Sequence, residues 1–93
     1  MFSDVETFAL NAISDIVRDR FPGVVDCMAG RDFYCVNAGG FFVCEVQVLN
    51  GSLCLITCFH DEVFCDVNDP DFVEFVSGFI LRFVGDFLKA KVP

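Results

Sequence analysis

The chain has 93 residues, with 14 Asp plus Glu against 6 Lys plus Arg, a net charge of -8 and a pI near 4.2. This length fits one domain over 1–93 and leaves no room for a second core. Apolar residues make up 55% of it, 13 of them Phe, which excludes intrinsic disorder. The mean hydropathy is +0.59, yet a chain this size buries only about 60–65% of its unfolded surface. Some apolar surface is therefore expected outside, available to a partner or a second copy.

The first element opens on Ser3-Asp4-Val5-Glu6, where a Ser three residues before a Glu satisfies two orphan backbone donors at a helix start. Val5, Phe8, Ala9, Ala12, Ile13, Ile16 and Val17 follow at three- and four-residue spacing, which predicts an amphipathic helix over 4–20. Pro22-Gly23 ends it. Met1-Phe2-Ser3-Asp4 has no positive charge ahead of an apolar run, as a secretory signal would. The most apolar stretch, 75–81, is far shorter than the roughly 20 residues a membrane span needs. A cytoplasmic chain is expected.

Residues 24–65 read as strands, with apolar runs cut by Gly30, Ala38-Gly39-Gly40 and Asn50-Gly51. Asn50-Gly51 suits the positive φ of a two-residue type I′ hairpin. That turn sets Leu49 against Ser52, Val48 against Leu53, Val46 against Leu55, Cys44 against Thr57 and Phe42 against Phe59. The face carrying Phe42, Cys44, Val46 and Val48 is the expected core side. The other face then carries Phe41, Val43, Glu45, Gln47, Leu49, Ser52, Cys54, Ile56, Cys58 and His60, joined by Tyr34 and Val36 from the preceding strand.

Asn68-Asp69-Pro70 announces a last helix over 70–90, Asp69 serving as N-cap and Pro70 entering the first turn. Phe72, Phe75, Val76, Phe79, Ile80, Phe83, Val84 and Phe87 form its packing stripe, while Gly78 and Gly85 lie on the polar side. The expected fold is α+β: an N-terminal helix, an antiparallel meander of three to five strands, and a C-terminal helix, with both helices on one face.

The six cysteines read mainly as reduced thiols, because Cys27, Cys35, Cys44, Cys54 and Cys58 sit in apolar strand-like runs. Catalysis by a nucleophile and base would have to use His60, the sole histidine, with Cys58 two residues away. No surrounding motif supports that pair. Zinc would have to share Cys58, His60 and Cys65, completed by Asp61 or Asp66, without the paired-cysteine spacing of a zinc knuckle. Asp66, Asn68, Asp69 and Asp71 fail as a calcium loop, since Pro70 would fall on a ligand position. No phosphate-binding glycine loop is present. The expectation is a chain without a catalytic residue, metal or cofactor.

No Lys or Arg stands between Arg31 and Arg82, whereas 32–81 holds Asp32, Glu45, Asp61, Glu62, Asp66, Asp69, Asp71 and Glu74. Direct nucleic-acid binding is disfavoured by that gap, and a basic protein surface is the matching partner. The expected contacts are Asp61, Glu62, Asp66, Asp69, Asp71 and Glu74, with Tyr34, Phe41, Val43 and Ile56 as apolar anchors. In size, acidity and α+β makeup the chain resembles small phage inhibitors of host defence nucleases, anti-CRISPR proteins among them. That resemblance implies a viral nucleic-acid mimic occluding a basic groove. The alternative is a homodimeric structural subunit or an acidic chaperone, similar in outline to type III secretion chaperones, pairing through the exposed sheet face.

Overall fold

The computed structural model describes residues 1–91; residues 92 and 93 of the expected 1–93 domain lie outside the described residues. Helix α1 (Asp4–Arg20) starts where the capping box places it. Ser3 Oγ accepts the Glu6 N–H at 3.1 Å, and Glu6 Oε1 accepts the Ser3 N–H at 2.8 Å. Five strands follow, β1 (Val25–Ala29), β2 (Phe33–Ala38), β3 (Phe41–Leu49), β4 (Ser52–Thr57) and β5 (Glu62–Cys65), then helix α2 (Phe72–Lys91). The sheet order is β1-β2-β3-β4-β5, every neighbouring pair antiparallel. The α+β expectation is met, at five strands.

Asn50 and Gly51 adopt φ of 53° and 80°, and the β3–β4 register is the one the turn dictates, from Leu49↔Ser52 to Cys44↔Thr57. Both helices pack on one face of the sheet. Ala9, Leu10, Ile13 and Val17 of α1 and Phe72, Val76, Ile80 and Val84 of α2 close over Tyr34, Val36, Cys44, Val46, Leu53 and Leu55. Ser14, the polar member of the buried face of α1, donates to Leu10 O at 3.0 Å and is hydrogen-bonded to the Tyr34 hydroxyl.

Two expectations about faces are overturned by a bulge. The β2–β3 register slips between Val36 and Asn37, pairing Val36 with Cys44 but Asn37 with Phe42. Val43 is the extra residue, and strand alternation reverses across it. Tyr34 and Val36 therefore face the helices, Val43 and Cys44 are both buried, and Phe42 turns to the uncovered face. Phe59 stands past the end of β4 and leans on Phe83 of α2, ring centroids 5.6 Å apart.

The stripe expected for α1 is also rotated. Leu10 and Ser14 are buried, while Val5, Phe8 and Ile16 are exposed. α1 packs against α2 as well as the sheet, which draws its buried face towards that neighbour. Helix α2 begins at Phe72, two residues later than expected, because Asp69 to Asp71 form the turn that launches it.

Candidate protein-binding surface

The six expected acidic contacts gather along one border of the sheet. Asp61 lies in the β4–β5 turn, Glu62 opens β5, Asp66, Asp69 and Asp71 occupy the β5–α2 connection, and Glu74 sits in the first turn of α2. All six are exposed. The connection is built from two successive aspartate turns. Asp66 Oδ1 accepts the Asn68 N–H at 2.9 Å, and Asp69 Oδ1 accepts the Asp71 N–H at 2.9 Å. Main-chain bonds from Asp69 N–H to Asp66 O and from Phe72 N–H to Asp69 O, each 3.0 Å, close the same turns. Each aspartate thus commits one carboxylate oxygen to the backbone and presents the other outward.

No ion pair among the described residues neutralises these charges. Among the described residues the ion pairs are Met1 N with Asp32 at 2.8 Å and Arg18 with Asp15 at 3.9 Å, neither involving the six acids. The field along this border is therefore offset only by solvent ions and by the α2 N-terminus beside Asp71 and Glu74.

Aromatic surface adjoins the acids. Phe64 is 64% exposed and Phe75 54%, and together with Cys65, Asp66, Asp69 and Phe72 they line a hollow of about 200 Å³. A ring face next to free carboxylate oxygens suits a guanidinium or ammonium group, which gains from both.

The expected apolar anchors fare differently. Tyr34 and Val43, 1% and 0% exposed, are core residues and leave the candidate surface; the bulge buries Val43 and turns Tyr34 towards the helices. Phe41 is exposed but lies on the helix side, its ring 6.4 Å from that of Phe87. Ile56 remains on the uncovered face, opposite Glu45 and Glu62, and is half-buried. That face also carries Met28, Phe33, Phe42 and Phe64, all exposed, and these were missed. Phe64 was within reach of sequence reasoning, since alternation in 62–65 places it with Glu62. Phe42 was not, because its face depends on the bulge.

Four of the six thiols are held towards their protonated form. Burial pushes the Cys44 thiol up to about 12. Cys54 and Cys65 are raised by burial first, then by Glu62 and by Cys54 respectively; Cys35 is raised by burial and then by Glu45. These four stay protonated at neutral pH, the unreactive form. His60 leaves the strand altogether, in the β4–β5 turn at φ 68°. Among the described residues no group of three or more His, Cys, Asp or Glu side chains could hold a metal ion.

Two helices on one face of a five-stranded antiparallel meander, the other face bare, define a small two-layer α+β domain. Comparison with protein-family models, with curated proteins and with solved structures finds no match to this chain. No helix among the described residues is long and apolar enough to cross a membrane.

Proposed function

We propose that this chain is a non-enzymatic protein-binding module whose acidic, aromatic border docks on a basic surface of a target protein in the cytoplasm. The observation that carries the reading is the row of exposed carboxylates, Asp61, Glu62, Asp66, Asp69, Asp71 and Glu74, without an ion-pairing cation among the described residues. Such a row presents consecutive negative charge, as a polyanion does, which favours a nucleic-acid-binding groove as the target, as for the phage inhibitors the chain resembles. Binding would steer association electrostatically and weaken as salt rises.

The test compares affinity capture by the unaltered protein and by the triple variant Asp61→Lys, Asp71→Lys, Glu74→Lys, whose carboxylates hold no hydrogen bond of the fold among the described residues. Loss of the captured partner by the triple variant, with retention by a control reversed at Asp15 and Asp19 of α1, is the expected result. Equal affinity for the triple variant would overturn the reading. A second reading, the homodimer, is favoured by Met28, Phe33, Phe42 and Phe64 on the uncovered face. A native mass spectrum of reduced protein decides it, and Ile56→Glu should split any dimer formed there. Val43→Glu would instead place a charge in the core and unfold the chain.

A further inference from the structure

The sheet has two outer edges, and the fold treats them differently. On β1 the pairing is fixed by Gly39 N–H to Val24 O at 3.0 Å and Gly30 N–H to Phe33 O at 2.9 Å. Even-numbered residues therefore bond to β2, and the main-chain groups of Val25, Cys27 and Ala29 point outward. Two of those groups are capped. Val25 N–H donates to Phe21 O at 3.3 Å, and Arg18 Nη2 donates to Cys27 O at 3.3 Å.

On β5 the bond from Thr57 N–H to Asp61 O, 3.0 Å, sets the alternation. Val63 and Cys65 then bond to Leu55 and Leu53, while Glu62 and Phe64 direct their N–H and C=O groups away from the sheet. No hydrogen bond among the described residues engages those outward groups. The strand carries no proline, lysine or bulge; it is four residues long, and its blunting charge is the carboxylate of Glu62, which repels an acidic strand and admits a basic one. Beside it, on the helix side, lies the hollow lined by Cys65, Phe72 and Phe75.

We infer that β5 is a docking edge, and that the occupant is an extended segment of the basic partner, added to the sheet as an antiparallel sixth strand. This deepens the reading proposed above and rests on it. Residues of the segment opposite Glu62 and Phe64 lie on the uncovered face, where a carboxylate and an exposed ring select Arg or Lys. The alternate residues point to the helix side, over the hollow that Phe64, Cys65, Phe72 and Phe75 line together with Asp66 and Asp69; an apolar side chain there packs on the rings and leaves the carboxylates to its Arg or Lys neighbours. A second copy of this chain is the wrong occupant. Two β5 edges brought together would set Asp61, Glu62 and Asp66 of one chain against the same acids of the other.

The probe is a capped hexapeptide, Arg-Val-Arg-Val-Arg-Val, titrated into 15N-labelled full-length protein. Residues that pair directly across an antiparallel ladder share a face, so the Arg amides are the ones aimed at β5. N-methylation of the Arg amides should weaken binding roughly tenfold or more, N-methylation of the Val amides should leave it nearly unchanged, and the peptide should slow hydrogen exchange of the Glu62 and Phe64 amides. If both methylated peptides bind equally well, the edge is not the docking site, although the acidic border stands. If Glu-Val-Glu-Val-Glu-Val binds as tightly with the same methylation pattern, the edge is used but the basic partner is wrong. No binding of any peptide would overturn the edge inference, with the charge-reversal capture left to judge the surface. A dimer whose Glu62 and Phe64 amides are protected without peptide would give the edge to a second copy and overturn it too.

Discussion

Removing the hydroxyl of Tyr34 and removing that of Ser14 break the same hydrogen bond, yet the two variants should differ in cost. Ser14 Oγ donates its proton to Leu10 O, so between the two hydroxyls Tyr34 is the donor and Ser14 the acceptor. Both residues are buried, at 1% and 4% exposure. Tyr34→Phe takes away the donor and leaves Ser14 still bonded to Leu10, an ordinary loss of about 1 kcal/mol. Ser14→Ala instead leaves the phenolic O–H in the core with the soft Cys27 thiol, a weak acceptor, as its hydrogen-bond partner. That costs about 1–3 kcal/mol, less roughly 0.5 kcal/mol for the better helix propensity of Ala. The double variant has no stranded group, so it should be more stable than Ser14→Ala alone. Urea unfolding followed by far-UV circular dichroism measures all three, since Tyr34 is the sole tyrosine and there is no Trp. Each kcal/mol corresponds to roughly 4–8 °C in Tm at this size. Additive effects of the two substitutions, or a double variant less stable than Ser14→Ala, would refute the coupling through this bond.

Three further outcomes follow from the fold. The Cys44 thiol is pushed from 9.0 to about 12 by burial, so the folded state retains a proton that the unfolded chain releases. Its contribution is complete below about pH 9 and is lost as pH rises towards 12, roughly 1 kcal/mol per pH unit; Cys44→Ala should flatten that part of an alkaline stability profile. Gly51 sits at φ 80° with open space around it, so Gly51→Ala should cost about 1–2 kcal/mol in chemical denaturation through backbone strain alone. Gly78→Ala in α2 also meets open space, and without a positive φ it should stabilise the chain by up to about 1 kcal/mol in the same assay.

What the sequence revealed, it revealed through short-range chemistry. Ser3 and Glu6 mark the start of α1, and Asn50-Gly51 sets six cross-strand pairs in the correct register. The bulge was hidden because Phe41-Phe42-Val43-Cys44 is an unbroken apolar run. Period-two reasoning needs a polar residue to show which face is which, and there is none in that run. The error at one residue then passed to Tyr34 and Val36 through their pairing, and the anchors it removed are Tyr34 and the bulged Val43 itself. The acids were legible because exposure of charge needs no register. Exposure of Phe75 depends on where the helices end and what they cover, and that of Phe42 on the bulge, neither of which composition records.

The unequal edges of the sheet bear on why so apolar a chain need not polymerise. If β5 of one molecule could add to β1 of the next, the contact would join unlike surfaces and repeat without end, the geometry of a filament. Arg18 and Phe21 occupy two of the positions such a neighbour would need on β1. If the sheet lengthens as inferred, it does so from its acidic side, by one strand of opposite charge, and an identical molecule arriving there would meet its own sign. Partly capping one side and charging the other would then make the domain an end point for strand addition instead of a link in a chain.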